Sequence, residues 1–236
     1  MLKVAITGAA GTIGTVLRKG LMPWHLLTLI DLRAIEGEET EIIDVAQDYS
    51  RLVQVLGGHD AVIHLARDGR GGFKSDDNWV PENDKMIWNV YKACIETGVK
   101  KVIMASSIHT VAPTAKREYP TQDDLISPYS LPNPDTPYGA MKVFMEALGK
   151  YFAYKRGLEV ICIRFGGVNL ADRPSMPDEP YYHTAWLSHG DCIGLVRACL
   201  KAQGVTFVVV YGVSRSQIFD MSNPFGWTPK EGGRDE

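Results

Sequence analysis

Short apolar runs alternate with longer stretches of mixed character along the chain. The runs are mostly apolar throughout and have the length of β-strands; they lie at 2–7, 26–30, 41–43, 61–65, 102–106, 160–164 and 206–211. Strands that are buried on both faces of a parallel sheet show this continuous pattern, whereas half-exposed strands alternate apolar and polar positions. We therefore predict seven buried parallel strands.

The stretches between these runs have the spacing of amphipathic helices. After the first run, Ile13, Leu17 and Leu21 fall on one helical face. Further helices are predicted at 50–56, 81–97, 137–155 and 188–203. Strands that alternate with helices predict an α/β fold, a doubly wound parallel sheet of the Rossmann type.

Residue types at the predicted helix starts support these boundaries. Pro81 and Pro137 suit the first turn of a helix, where the missing N–H of proline costs nothing. Ser188 and Asp191 have the spacing of a capping box, in which each side chain bonds the other's backbone N–H.

We expect one Rossmann-type domain over 1–236, with a small, reduced C-terminal substrate-binding region. Segments near 67–80, 112–136 and 166–185 follow strand ends and escape the alternation. Open α/β sheets bind ligands at the carboxyl ends of their strands, so these segments are expected to cover a substrate. The Gly- and Pro-rich tail after Asn223 is expected to be loosely ordered.

Composition and charge exclude several classes of protein. The 236 residues carry 25 basic and 28 acidic side chains, a formal net charge of −3, without a basic run. A nucleic-acid partner is therefore disfavoured. The longest apolar stretches, 21–30 and 205–213, are about half the roughly 20 residues that a membrane span needs, so no membrane association is expected.

Cysteine usage and the first residues bear on the compartment. The four cysteines are scattered, and none forms a Cys-x-x-Cys pair or a zinc-site spacing with histidine. This pattern predicts reduced, buried thiols and no metal site. Since Gly8 and Gly11 interrupt the apolar start at once, we expect no signal peptide and a cytoplasmic location.

A glycine-rich turn lies between the first strand and the first helix. Gly8, Gly11 and Gly14 allow a tight turn that brings backbone N–H groups and the positive helix end against a pyrophosphate. The motif alone is weak evidence. Asp31 strengthens it, because an acid at the end of the second strand can accept hydrogen bonds from the adenosine ribose and repel a 2′-phosphate.

The cofactor assignment leaves two points open. Arg33 is close enough in sequence to neutralise a 2′-phosphate, so NAD is favoured without excluding NADP. Asp44 and Val45 follow the third strand and are placed to approach the adenine amino group; the alternative is that Asp44 only begins a helix.

Tyr138 and Lys142 stand four residues apart on one helical face, as a catalytic base and the cation that activates it would. Removing a hydroxyl proton requires a tyrosine whose pKa is lowered by nearby positive charge. Tyr151 and Lys155 repeat the spacing. Tyr138, however, opens a helix after a strand that ends at Ser107, whose hydroxyl can bond the same oxygen, and Tyr151 is expected to be a packing residue.

Several motifs occur in the order found in extended short-chain dehydrogenases/reductases. They are Thr7-Gly8-x-x-Gly11-x-x-Gly14, Asp44-Val45, His64-Leu65-Ala66, Asn83, Ser106-Ser107, Tyr138-x-x-x-Lys142 and Phe225-Gly226-Trp227-x-Pro229. The chain resembles this superfamily, in its NAD-dependent epimerase/dehydratase family, over nearly its whole length. Residues 105–110 and 186–192 are similar to those of uronate dehydrogenases and archaeal NAD-dependent glucose-6-phosphate dehydrogenases.

This resemblance implies NAD-dependent oxidation of a small sugar at C1 to the lactone. It implies Tyr138, Lys142 and Ser107 as catalytic residues. NAD would contact Gly8, Gly11, Thr12, Ile13, Gly14, Asp31, Leu32, Asp44, Val45, Leu65, Ala66, Asn83, Tyr138 and Lys142. The sugar would contact Ser107, Ile108, His109, Tyr181, His183, Arg67 and Arg70.

Two departures from these relatives leave the sugar undefined. Relatives usually carry Asn at the position of Ile108, and an Arg shortly before Trp186, where this chain has Pro-Tyr-Tyr-His at 180–183. A clamp for a carboxylate or phosphate is therefore missing or moved. Basic residues on the predicted covering segments could replace it; they are Arg67, Arg70, Lys74 and Arg173.

Two other functions fit parts of the pattern. A nucleotide-sugar epimerase or dehydratase would use the same residues with tightly bound NAD, but only 94 residues follow Lys142, which is short for an added nucleotide-binding lobe. A non-catalytic dinucleotide sensor would not need Tyr138 and Lys142. The sequence is compatible with a homo-oligomer and does not define one.

Overall fold

A computed structural model describes residues 1–70, 79–111, 125–175, 185–216 and 218–230. Its seven strands form a single parallel sheet in the order β3-β2-β1-β4-β5-β6-β7. The strands are β1 (Lys3–Thr7), β2 (Leu26–Asp31), β3 (Glu41–Ile42), β4 (Ala61–His64), β5 (Lys101–Ser107), β6 (Glu159–Phe165) and β7 (Phe207–Gly212). The predicted parallel sheet is confirmed.

Helices cover both faces of this sheet. They are α1 (Thr12–Leu21), α2 (Tyr49–Leu56), α3 (Pro81–Thr97), α4 (Pro137–Arg156) and α5 (His189–Lys201). Helices α2, α3 and α4 pack on one face, and α1 and α5 pack together on the other. Each face has its own apolar core, which explains why the strands read as apolar throughout. The doubly wound architecture is therefore confirmed.

The helix starts agree with the predicted caps, with one difference. Pro81 and Pro137 occupy the first turns of α3 and α4. Ser188 caps α5 by accepting a hydrogen bond from the Asp191 backbone N–H at 3.1 Å. The reciprocal bond is replaced, because the Ser188 backbone N–H donates to the Ser214 hydroxyl at 2.8 Å, and the Asp191 carboxylate accepts from the backbone N–H of Lys230 at 2.7 Å.

The expectation of a loosely ordered tail is wrong for residues 224–230. The Asn223 side chain accepts hydrogen bonds from the backbone N–H groups of Phe225 and Trp227 at 3.2 and 3.0 Å. The Trp227 indole lies so close to α5 that a Cβ on Gly194 would stand 3.2 Å from its ring nitrogen. A high content of glycine and proline indicates a loop. It does not reveal that the side chains of Asn223 and Trp227 hold this loop in place.

The four cysteine side chains are buried and unbridged, as predicted. Within the described ranges, no helix is long and apolar enough to cross a bilayer.

The direction of chain progression reverses at β1, since β2 lies on one side of it and β4 on the other. Such a reversal opens a crevice at the carboxyl ends of the strands, where open α/β sheets bind ligands.

Candidate active site

A cavity of about 650 Å³ opens at this crevice. The glycine turn after β1 forms one wall, and the ends of β4, β5 and β6 with the start of α4 form the others. Residues predicted for both cofactor and substrate line it: Gly8, Gly11, Thr12, Ile13, Gly14, Leu65, Arg67, Ser107, Ile108, His109, Tyr138 and Lys142.

The three glycines of the turn serve different needs. Gly8 has a φ of 72°, and a Cβ there would stand 2.6 Å from the backbone nitrogen of Ala66. A Cβ on Gly14 would stand 2.5 Å from the Gly8 and Ala9 carbonyl oxygens. Among the described residues, a Cβ on Gly11, at the N-cap of α1, would meet only the Gly8 oxygen, at 3.2 Å. Gly8 and Gly14 therefore allow the turn to close, while Gly11 keeps the helix N-terminus open to the cavity.

Asp31 ties the end of β2 to this turn. Its carboxylate accepts hydrogen bonds from the backbone N–H groups of Ala10 at 2.9 Å and Arg33 at 3.1 Å. The acid therefore lies against the glycine turn, as the cofactor prediction requires, and it also caps the end of the strand. Leu32 next to it is exposed.

The described contacts of three further predicted NAD-binding residues are structural. The Asp44 carboxylate accepts from the backbone N–H groups of Ala46 at 2.8 Å and Gln47 at 3.2 Å, which closes the turn before α2. Val45 is buried. The Asn83 side chain bonds both backbone groups of Asp68 at 2.8 and 3.2 Å and fixes the chain after β4. Their roles toward NAD remain predictions.

The structure brings the three predicted catalytic residues together. Thr136 caps α4 by accepting from the Gly139 backbone N–H at 3.1 Å, so Tyr138 lies in the first turn of the helix. The Tyr138 and Ser107 hydroxyls share a hydrogen bond. One turn later, the Lys142 ammonium donates to the carbonyl of Ala105 on β5 at 2.5 Å.

Burial and charge act in opposite directions on these groups. Burial raises the pKa of Tyr138, and the hydrogen bond from Ser107 and the positive charge of Arg67 counteract that rise. Burial and, after it, the positive charge of Arg67 lower the pKa of Lys142 to about 7, while Cys162 and the negative charge of Glu146 oppose the shift. The site therefore holds a lysine that titrates near neutral pH beside a buried phenol.

The carboxylate of Glu146 lies behind this site in a buried network that the sequence reasoning missed. It accepts hydrogen bonds from the Ser106 hydroxyl at 2.6 Å and from the Arg164 guanidinium at 2.8 and 2.9 Å. Arg164 also donates to the Tyr211 hydroxyl at 3.1 Å. The available signal was an arginine in an otherwise apolar strand, since a buried charge needs an opposite partner.

Besides Ser107, three predicted substrate residues line the cavity. Ile108 is buried in the 3₁₀ turn that follows β5. The His109 ring bonds the Asp135 carboxylate at 3.0 Å and lies edge-on to Tyr138, with the ring centres 5.8 Å apart. The Arg67 guanidinium lies 5.1 Å from the centre of the Tyr138 ring.

Two other candidates for the substrate, Arg70 and Arg173, are described and lie elsewhere. The Arg70 guanidinium pairs with Asp68 and, at 3.7 Å, with Glu82, and it does not line the cavity as far as the described residues define it. Arg173 is exposed on the chain after β6 and does not line it either. Three predicted positions lie outside the described residues; they are Lys74, Tyr181 and His183.

Tyr151 differs from its prediction as a packing residue. Its side chain is 48% exposed, and its neighbour Phe152 is the buried one. A single step along a helix rotates a side chain by about 100°, so the apolar face of α4 passes through Phe152. Tyr151 therefore has a surface position far from the cavity.

The end of β6 also contributes to the cavity wall. Within the covering segment at 166–185 the sequence pointed to Arg173, Tyr181 and His183, and the described residues that line the cavity there are different ones. Those lining the cavity are Phe165, Gly166, Gly167, Val168, Ser175, Ala185 and Trp186. The sequence signal for this part of the wall was the pair of glycines that follows β6. Glycine is needed there because a Cβ on Gly166 would stand 2.0 Å from the Ala185 oxygen.

Comparison with known proteins agrees with this architecture. Residues 4–174 match the NAD dependent epimerase/dehydratase family. L-arabinose 1-dehydrogenase (NAD(P)(+)) of Haloferax volcanii is 35% identical, over 86% of this chain and 84% of that protein. Uronate dehydrogenase of Pseudomonas syringae pv. tomato is 29% identical, over 97% of this chain and 82% of that protein.

Solved structures show the same fold. Uronate dehydrogenase from Agrobacterium tumefaciens superposes with a TM-score of 0.79 at 28% identity, covering 98% of this chain and 85% of that one. A point mutant of that enzyme was solved in complex with NAD. Together with the cavity at the strand ends and the glycine turn, these matches show that the chain belongs to the NAD dependent epimerase/dehydratase family.

Proposed function

We propose that this protein oxidises a small sugar at C1 to the lactone, with NAD as the oxidant. The observation that carries the proposal is the meeting of Ser107, Tyr138 and Lys142 in one cavity beside the glycine turn. Relatives named L-arabinose 1-dehydrogenase, uronate dehydrogenase and NAD-dependent glucose-6-phosphate dehydrogenase support it, because each is a sugar dehydrogenase by name.

The residues present fit NAD. Gly11 leaves space at the N-terminus of α1, so the backbone N–H groups of Thr12 and Ile13 would face a pyrophosphate. Asp31, bonded to Ala10 of the same turn, would accept hydrogen bonds from the adenosine ribose. Leu65 lines the cavity and would contact the cofactor.

The catalytic residues would share the work of one oxidation. NAD supplies, when bound, the acceptor for the hydride that leaves C1. Tyr138 takes the proton of the C1 hydroxyl, so the O–H and C–H bonds break as the carbonyl of the lactone forms. Ser107 holds the same hydroxyl in place through the hydrogen bond that it shares with Tyr138. Lys142, one turn away, supplies positive charge that stabilises the tyrosinate.

The cavity suits a free sugar as the substrate. We propose that Ser107, Ile108 and His109 contact it from the end of β5, and that Arg67 lies across from them. Arg67 belongs to the cavity wall, whereas Arg70 and Arg173 do not line it in the described part of the chain. An anionic group on the sugar, if there is one, would therefore meet Arg67 before either of those arginines.

A panel of sugars tests the function. Absorbance of reduced nicotinamide would be followed with NAD and L-arabinose, glucose, glucuronate, galacturonate, glucose 6-phosphate and one nucleotide sugar, with Tyr138→Phe as the control. Reduction of NAD by at least one free sugar, lost in the control, is expected. Conversion of the nucleotide sugar without net NADH release would overturn the proposal in favour of an epimerase or dehydratase.

We also infer a cytoplasmic location. The four buried, unbridged thiols support it, because reduced cysteines are typical of a reducing compartment.

A further inference from the structure

Two cations flank the ring of Tyr138. The carbon of the Arg67 guanidinium lies 5.1 Å from the ring centre, and the Lys142 ammonium nitrogen lies 5.5 Å from it. Arg67 comes from the chain after β4, and Lys142 comes from α4, so the two charges reach the ring from different elements. Among the described residues that line the cavity, none is Asp or Glu.

Two carboxylates near this group bond other side chains. Asp135 bonds His109, and Glu146 bonds Arg164 and Ser106. The titratable and charged groups around Tyr138 and Lys142 come from several strands and from α4. They are His64 on β4, Arg67 after β4, His109 after β5, Cys162 and Arg164 on β6, Asp135 before α4, and Lys142 and Glu146 on α4. Two cations therefore stand against the ring of this phenol, Arg67 and Lys142.

Only one of the two cations keeps its charge at every working pH. Burial lowers the pKa of Lys142 to about 7, so its ammonium loses its proton as pH rises through neutrality. A guanidinium remains protonated well above that range. Arg67 acts directly on the phenol, because its charge counteracts the rise in the pKa of Tyr138 that burial causes.

Resting on the proposed function, we propose that Arg67 is a positioning residue for the oxidation: its guanidinium stabilises the ionised oxygen of Tyr138, whichever sugar is bound. A substrate clamp would instead act only on a sugar that carries an anionic group. The placement of Arg67 beside the aromatic ring supports the first role, because at this distance its charge acts on the phenol itself. The two roles differ in what the loss of the charge does to a neutral sugar.

The pH dependence of kcat separates these roles. Arg67→Gln and Arg67→Lys would be compared with wild type on L-arabinose and on glucuronate at saturating NAD. Arg156→Gln is the matched control, because Arg156 is exposed at the other end of α4. The acidic limb of the profile should move to higher pH by about one pH unit in Arg67→Gln, with both sugars, and kcat at neutral pH should fall about tenfold.

One feature limits the size of this change. Loss of Arg67 removes the charge that helps to lower the pKa of Lys142, so the lysine gains protons and replaces part of the missing charge. Arg67→Lys keeps the cation and should restore most of the rate. Thermal unfolding and NAD binding of each variant would show that the fold and the cofactor site are intact.

Either of two results would overturn the proposal. An unchanged pH profile for Arg67→Gln on both sugars would show that the charge does not act on Tyr138. A loss confined to the KM for glucuronate, with L-arabinose unaffected, would show that Arg67 is a substrate clamp.

A titration without turnover separates this proposal from the proposed function. Carbon-13 at the Cζ of the tyrosines reports ionisation by NMR, and the signal missing in Tyr138→Phe identifies Tyr138. We expect the pKa of Tyr138 to be higher in Arg67→Gln than in wild type, even if no sugar of the panel is oxidised. An equal pKa in both proteins would overturn the role of Arg67.

Discussion

Among single residues, surroundings rather than spacing define the candidate base. Tyr138 and Tyr151 both stand four positions before a lysine on α4. Tyr138 shares a hydrogen bond with Ser107 and faces the cavity, whereas Tyr151 is 48% exposed. The sequence favoured Tyr138 because it follows a strand that ends in hydroxyl residues, and the structure brings those groups together.

Replacing Tyr138 with phenylalanine tests its role as the base. The ring still packs but has no ionisable oxygen, so kcat should fall by roughly 10²–10⁴-fold while the Kd for NAD changes little. Steady-state kinetics and NAD titration measure both. Tyr151→Phe is the matched control on the same helix, and greater loss of activity in that variant would place the base elsewhere.

Asp31 should set the preference for NAD over NADP. Its negative charge beside the glycine turn would repel a 2′-phosphate, so Asp31→Asn should raise the ratio of kcat/KM for NADP to that for NAD by about tenfold or more. Asparagine keeps an acceptor for the Ala10 backbone N–H, whereas Asp31→Ser also removes that contact. Kinetics with both cofactors decide it; an unchanged ratio in both variants contradicts the assignment.

Some contacts of single side chains could not be predicted. Asp44 accepts from two backbone N–H groups of its own turn, and Arg70 pairs with Asp68 two positions earlier. The sequence shows that each charge is near the strand ends, but the local turn geometry decides whether it reaches the cavity. Asp44 therefore matches the helix-entry alternative as far as its described contacts show.

Among the secondary-structure elements, the start of β5 is joined to the end of α5 by a buried lysine. The Lys101 ammonium donates to the carbonyls of Cys199, Leu200 and Ala202 at 3.2, 3.2 and 2.5 Å. It also pairs with Glu159 on the neighbouring strand β6 at 3.4 Å. These are carbonyls that a helix leaves without partners at its C-terminus.

Lys101→Met should lower the free energy of unfolding by roughly 2–4 kcal/mol, because it leaves buried carbonyls and a carboxylate without their donor. Urea denaturation measures the change. Lys100→Met is the control, since Lys100 is the exposed neighbour and should change stability by less than about 0.5 kcal/mol. Equal effects of the two substitutions would contradict this role for Lys101.

Element boundaries followed from the sequence to within two residues, because parallel strands buried on both faces and helices with one apolar face leave distinct patterns. The links between elements did not follow. Two sets of buried hydrogen bonds join residues that are distant in sequence. One connects Lys101 to the end of α5, and the other connects Glu146 of α4 to Arg164 of β6. In a single sequence, a buried charge is visible only as a charged residue within an apolar run. The sequence does not identify the residue with which that charge pairs.

For the molecule as a whole, a histidine in the central sheet makes stability depend on pH. His64 at the end of β4 is fully buried, its Nδ1 lies 2.7 Å from the Thr7 hydroxyl oxygen of β1, and burial lowers its pKa from 6.5 to about 3. The histidine therefore binds a proton more strongly in the unfolded chain than in the folded protein. The stability that the neutral, buried His64 contributes is complete above pH 6.5 and is lost as pH falls toward 3.

Because of His64, the free energy of unfolding should be about 2 kcal/mol lower at pH 5 than at pH 7. At pH 5 the histidine is protonated in the unfolded chain and neutral in the folded protein. Urea denaturation at both pH values would be compared between wild type and His64→Gln, whose side chain does not titrate. Between pH 7 and pH 5, the free energy of unfolding of the wild type should fall by about 2 kcal/mol more than that of the variant. Equal losses would contradict the assignment of this pH dependence to His64.

The proposed reaction of the molecule is a single step. In the crevice where the direction of chain progression reverses, a hydride leaves C1 of a free sugar. L-arabinose labelled with deuterium at C1 follows that hydride, with NAD as the oxidant and mass spectrometry of both products. We predict that the deuterium appears in the reduced nicotinamide and is absent from the lactone. Deuterium retained in the sugar carbon skeleton, with NAD returned unlabelled and oxidised, would contradict hydride removal at C1.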